Sequence, residues 1–272
     1  MKNIFALVAI VALLTSCVDE ISMDYNTIDP IPVIEAIADQ DGTLVCLSQT
    51  RNMDSAPTVS DMSSADIVLT VDGTKSYTFV YLGSGKYFAP YVPQTTDSIC
   101  HLSVMLDGQT YENTSVITTP PVITDSKLLW EPLWDTRMAM YRLYVLSPSD
   151  EVQYYLYRAY RNNKGYQWGT FTNKGSRDGY SEKNILLFAE DALDDPEEYK
   201  DDIFFDGDTL SVSVTSIDRQ TYDYFESLSL SSRSSANPYC FFSGGALGYF
   251  AVEMPAWQSS LVFRLEDVVS SE

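Results

Sequence analysis

Ile99-Cys100-His101-Leu102-Ser103-Val104-Met105-Leu106-Asp107-Gly108-Gln109-Thr110-Tyr111-Glu112-Asn113 decides the fold class. Its side chains alternate with period two. Cys100, Leu102, Val104 and Leu106 share one face, which should be the core face, and His101 points the other way with Ile99, Ser103 and Met105. Asp107-Gly108 then reverses the chain, because these residue types accept the positive φ that a two-residue hairpin turn demands. The run 109–117 returns as the second strand.

The same grammar extends toward the N-terminus. Runs at 32–37, 43–48, 66–71, 76–82 and 86–92 are short and strand-like, and turn signals at Asp41-Gly42, Asp72-Gly73 and Gly83-Ser84-Gly85 separate them. This density of short strands before residue 118 predicts an immunoglobulin-like or transthyretin-like sandwich over 31–118. Thr118-Thr119-Pro120-Pro121 breaks the pattern, since paired prolines cannot lie in a central strand, and it marks a domain boundary.

Beyond it, 122–272 reads as a second β-rich domain with one short helix. Runs at 138–146, 153–160 and 165–171 read as strands, the last closing a hairpin through Asn162-Asn163-Lys164-Gly165. Leu210, Val212 and Val214 alternate with Ser211, Ser213 and Thr215, predicting a strand over 209–217. Asp218 suits a helix N-cap, and Tyr222, Phe225 and Leu228 follow at helical spacing, so a helix runs to about residue 230. Runs at 245–252 and 261–265 read as the final strands.

The first residues carry a different message. Lys2 precedes an uncharged apolar stretch, Ile4 to Leu14, too short for a membrane-spanning helix, which needs about 20 residues. It reads as a signal peptide over 1–16. Leu14-Thr15-Ser16-Cys17 resembles a bacterial lipobox, which makes Cys17 the lipid attachment site and 17–30 a lipidated tether. The acidic pair Asp19-Glu20 just after Cys17 resembles a surface-export signal of such lipoproteins, so the implied location is the outer membrane, lipid-anchored and facing the cell surface.

The formal net charge is −21. Such acidity repels nucleic acid, whose binding depends on lysine and arginine neutralising phosphates. It also disfavours an anionic membrane surface. Three cysteines remain after Cys17. Cys46 and Cys100 are the plausible pair, and the alternative is two buried free thiols. No Cys/His cluster with metal spacing occurs, so no metal site and no cofactor are read. The acidic segment 190–208 lacks calcium-loop spacing and reads as a solvated loop.

His101 is the single histidine, and any Ser-His-Asp or Cys-His arrangement would have to use it. No phosphate-cradling or dinucleotide fingerprint appears. No catalytic residue is assigned, and the chain is read as non-enzymatic. The densest aromatic patch is Tyr154-Tyr155-Leu156-Tyr157-Arg158-Ala159-Tyr160 with Tyr166 and Trp168. Tyr154, Tyr155, Tyr157, Arg158, Tyr160, Tyr166 and Trp168 are therefore the candidate ligand or partner surface. Alternation places Tyr154, Leu156, Arg158 and Tyr160 on one face and Tyr155, Tyr157 and Ala159 on the other, and one face must be core.

Several segments together resemble a lipoprotein family of Bacteroidota known only as a domain of unknown function. They are Val33-Ile34-Glu35-Ala36, Leu47-Ser48-Gln49-Thr50, Tyr154-Tyr155-Leu156-Tyr157-Arg158, Gly207-Asp208-Thr209-Leu210-Ser211-Val212-Ser213-Val214, Tyr222-Asp223-Tyr224-Phe225 and Gly244-Gly245-Ala246-Leu247-Gly248-Tyr249-Phe250. An arginine that often follows Leu-Ser in the family is Gln49 here. The resemblance implies an accessory to a TonB-dependent receptor barrel that binds or takes up a small nutrient ligand. It supplies no catalytic residues. A fimbrial or structural surface subunit and a surface glycan hydrolase are the alternatives. The glycines of the last segment should permit close backbone approach, with Tyr249 and Phe250 on opposite faces of a strand.

Overall fold

The computed structural model describes residues 29–51, 62–133, 136–146, 151–176, 179–189, 201–231, 237–254 and 257–270. The leader 1–16, Cys17, nearly all of the tether and the part 190–200 of the acidic segment lie outside the described residues. All the strands and the helix belong to one compact unit, Ile31–Thr50 with Pro57–Glu272.

The protein is mainly β, as the alternation predicts. The first region holds β1 (Pro32–Asp39), β2 (Gly42–Gln49), β3 (Asp66–Val71), β4 (Lys75–Thr78), β5 (Val80–Gly83), β6 (Lys86–Ala89), β7 (Ile99–Leu106) and β8 (Gln109–Val116). The Asp107-Gly108 hairpin forms in the predicted register, Leu106 opposite Gln109, with φ of 51° and 80° at the two turn residues. The single run predicted over 76–82 is two strands. β4 pairs with β3, whereas β5 pairs with β6 in the other sheet. Tyr77, Phe79 and Tyr81 all pack against the core as the chain crosses over, so the alternation survives although the hydrogen-bond partners change.

The second region holds β9 (Val122–Leu133), β10 (Thr136–Leu146), β11 (Tyr154–Arg161), β12 (Lys164–Thr172), β13 (Tyr180–Leu187) and β14 (Thr209–Ile217). They are followed by α1 (Arg219–Ser231), β15 (Leu247–Val252), β16 (Trp257–Val262) and β17 (Val269–Ser270). β9 and β13 are strands the sequence pattern did not reveal. The last strand expected over 261–265 lies earlier, at β16. The hairpin between β11 and β12 turns on Asn162-Asn163, both at positive φ, rather than on a longer loop.

Among the described residues four sheets form, ordered β15-β1-β2-β6-β5, β4-β3-β7-β8, β13-β10-β9-β17 and β12-β11-β14-β16. The first two share one core, in which Ile34, Val45, Leu69, Leu102 and Phe250 are buried together. The last two share another, built on Tyr141, Leu143, Tyr155, Ile185, Val212 and Phe263. Each pair is thus a β-sandwich, two sheets facing each other across side chains of alternate residues.

Two links tie the sandwiches together. β15 leaves the second region and pairs in parallel with β1, from Val33 opposite Leu247 to Ala38 opposite Val252. Gly248 makes this possible: its φ is +112°, and a Cβ there would stand 1.9 Å from the Ile34 carbonyl oxygen. Tyr249 and Phe250 point to opposite faces, Phe250 into the first core and Tyr249 outward, as the sequence suggested.

The second link is α1. At 13 residues it is near the length at which an isolated helix is marginal in water, so packing must hold it. Tyr224 and Phe225 bury against Leu156 and Ile217, beside Tyr249. Asp218 caps the helix, its Oδ1 accepting from the Thr221 amide at 2.7 Å. Its Oδ2 accepts from the Ser115 hydroxyl at 2.7 Å and the Val116 amide at 3.3 Å, both on β8.

Cys46 and Cys100 are free thiols. Alternation explains this: Val45 and Leu47 face the first core, so Cys46 points away from it, while Cys100 lies inside it beside the Tyr91 hydroxyl.

Candidate functional site

The aromatic strand β11 divides as a half-buried strand must. Tyr155 and Tyr157 are core residues, 1% and 3% exposed. They were named as partner-surface candidates; facing the interior of the second sandwich, they cannot serve as one. Tyr154, Leu156, Arg158 and Tyr160 point outward. Tyr154 packs against Tyr222 of the helix in a tilted ring contact, centroids 5.0 Å apart, and lies apart from the cleft described next.

Arg158, Tyr160, Tyr166 and Trp168 do come together, in a cleft of about 450 Å³. Trp168 sits opposite Arg158 in the β11–β12 register. The register then shifts between Ala159 and Tyr160, and Tyr166 falls at this bulge. Its ring meets Phe204 edge-on at 4.9 Å, and its hydroxyl accepts from the Phe188 amide at 3.2 Å.

The other walls come from distant parts of the chain. β1 contributes Glu35 and Ile37, β15 contributes Tyr249, and α1 contributes Phe225 and Leu228. Glu35 and Tyr249 are register partners across the parallel pair. The rings form a continuous wall, Trp168 to Phe225 at 5.4 Å, Phe225 to Tyr249 at 4.9 Å and Tyr249 to Tyr224 at 5.2 Å. Trp168 remains 44% exposed. Sequence reasoning missed Glu35, Ile37, Phe225, Leu228 and Tyr249 as site residues. Only the outward position of Tyr249 in its strand was a usable signal.

One ion pair and one further carboxylate govern the electrostatics. Arg158 donates to Glu253 through both terminal nitrogens, Nη1 to Oε2 at 2.9 Å and Nη2 to Oε1 at 2.7 Å. This bidentate geometry is the strongest form of an ion pair. Glu253 follows β15, so the pair joins the two sandwiches beside the cleft, where Arg158 lines it and Glu253 lines the adjoining hollow. The Glu35 carboxylate, by contrast, makes no hydrogen bond or ion pair with any described residue. Its side chain is open to the cleft, but the surrounding walls push its carboxyl above the ordinary value by desolvation. Burial, followed by the negative charge of Glu35, pushes the Tyr224 hydroxyl up to about 12, and Tyr249 is raised for the same leading reason. Beyond the Arg158–Glu253 pair a second hollow of about 250 Å³ continues along Asp39, Ser213 and Gln258.

An open cleft of this kind can hold a small apolar or aryl body by ring contact and fix its polar end at one carboxylate. His101 lies elsewhere, on β7, with its Nδ1 3.0 Å from the Thr114 hydroxyl and its Nε2 3.5 Å from Glu112. Among the described residues, no group of three or more His, Cys, Asp or Glu side chains could hold a metal ion. In the described part of the acidic segment, Asp206 accepts from the Leu265 amide. Asp208 is held by Arg161, Asn162 and the Phe205 amide. No helix among the described residues is long and apolar enough to cross a membrane.

No curated protein matches the chain. A family model does, over residues 18–240, which takes in β1, the aromatic strand and α1 but stops short of Tyr249 and Glu253. The chain belongs to the family described as a domain of unknown function, DUF4249.

Proposed function

We propose that the protein is a lipid-anchored binding protein of the outer membrane, of the kind found in Bacteroidota. In this reading it is a non-enzymatic accessory to a TonB-dependent transporter, and the cleft holds a small nutrient ligand on its way to the barrel. The observation that carries the reading is the aromatic cleft. Its rings are fixed by packing against one another, and its arginine is already answered by Glu253. Rigid aromatic walls recognise small molecules at low entropic cost. The lipobox-like Leu14-Thr15-Ser16-Cys17 supports the anchor.

The test is purification of the full chain from its own outer membrane in mild detergent. An outer-membrane barrel should co-purify, and Cys17→Ser should release the protein from the membrane fraction. Recovery without a barrel, or unchanged membrane association of the Cys17 variant, would contradict the proposal.

A further inference from the structure

We infer that the cleft selects a small organic cation, an ammonium or guanidinium group on an apolar or aryl body, with Glu35 as its counter-ion. The inference rests on the reading of the cleft as a binding site and adds the chemical class of its ligand.

Arg158 and Glu253 neutralise each other through two hydrogen bonds, so the pair adds no net charge to the cleft. Glu35 has no such partner among the described residues. Lys86 stands two strands along the same row, through Cys46, and forms no ion pair with it. The cleft is left with one unanswered carboxylate. Asp39, in the adjoining hollow, adds negative charge of the same sign.

The walls favour the same choice. Trp168, Phe225 and Tyr249 line the cleft, and aromatic rings attract cations through their quadrupoles. The Tyr249 hydroxyl makes no hydrogen bond with a described residue and belongs to the strand position opposite Glu35. Carboxylate and hydroxyl together provide acceptors for the several N–H donors of an ammonium or guanidinium. A neutral ligand would cover Glu35 and strip its water without returning a partner, which is costly for a charged group. An anion would be repelled outright.

The test uses three probes of one shape and different charge: 2-phenylethylamine, 2-phenylethanol and phenylacetate. Each is titrated calorimetrically into the full chain at neutral pH, and into the Glu35→Gln and Trp168→Ala variants. The amine should bind about tenfold tighter than the alcohol, a ratio suited to one charged hydrogen bond. Phenylacetate should bind weakest. Glu35→Gln should erase the amine's advantage without weakening the alcohol, which no longer has to strip water from a charged group. Equal binding of amine and alcohol to the native chain, or an advantage that survives Glu35→Gln, would overturn the inference and leave the cleft reading standing. Failure of all three probes, or binding insensitive to Trp168→Ala, would overturn both. An unchanged melting temperature in Glu35→Gln separates loss of binding from loss of fold.

Discussion

Arg158 and Glu253 meet as a two-bond ion pair between the sandwiches, the arginine 26% and the glutamate 8% exposed at the side chain. The arginine lies on an outward position of β11, and the glutamate on the segment that has just left β15. Removing one partner strands the other. Glu253→Ala should destabilise the protein by about 2 kcal/mol, between the cost of breaking a fully buried pair and that of a surface pair. The double replacement Arg158→Leu with Glu253→Leu should cost less than Glu253→Ala alone. Urea unfolding of the two variants measures both.

Gly248 fixes how β15 lies along β1. Any side chain there meets the Ile34 carbonyl, and the positive φ adds strain of its own. Gly248→Ala should therefore cost about 3 kcal/mol or more, the scale of the largest single-residue effects. Thermal melts would show it. Gly73→Ala is the control: its turn is also at positive φ, but an added Cβ meets nothing within 4 Å, so it should cost clearly less.

Asp218 does two jobs with one carboxylate, capping α1 and gripping β8. Loss of a cap alone typically costs about 1 kcal/mol. Asp218→Ala should exceed that, because the Ser115 hydroxyl and Val116 amide lose their acceptor as well. Ser115→Ala should remove only the hydroxyl's share. A double-mutant cycle on thermal stability checks the coupling.

Asp208 sets an acid limit. Burial raises its carboxyl, but the Phe205 amide, the Asn162 amide group and Arg161 outweigh that and hold it below the ordinary aspartate value. A depressed folded value means the contribution is fully present above the unfolded pKa and disappears as pH falls through the folded one. Stability should therefore drop below about pH 4, where an unfolded aspartate begins to take up protons. Asp208→Asn should lower stability at neutral pH and flatten that acid arm. Urea midpoints measured from neutral pH down to acid test this, and parallel acid arms in both proteins would count against it.

Much of the scaffold was legible because local chemistry and tertiary structure agree. β14 follows its Leu210-Val212-Val214 alternation, and α1 begins where Asp218 can cap it. β9 was hidden because Leu128, Leu129 and Trp130 are all buried in succession, with Leu128 and Trp130 in the core and Leu129 on the other side beside β17. β13 was hidden because its alternating set carries Ser181 and Lys183 as well as Ile185 and Leu187. Lys183 reaches over the Tyr157 ring, 4.8 Å from its centre, so a polar residue occupies a position where the pattern expects an apolar one. The cleft was half legible. Its β11–β12 side is a local aromatic cluster, but Glu35 meets Tyr249 only through a parallel pairing of strands from opposite ends of the described chain. Short-range periodicity carries no information about such a contact.

The central claim is that the cleft holds a small ligand. Native mass spectrometry of the full chain, purified from the cells that naturally make it, tests this most directly. A small-molecule adduct is expected on the native protein and should be absent when Trp168→Ala and Glu35→Gln are combined. A native protein without an adduct, or an adduct that persists in the double variant, would contradict it.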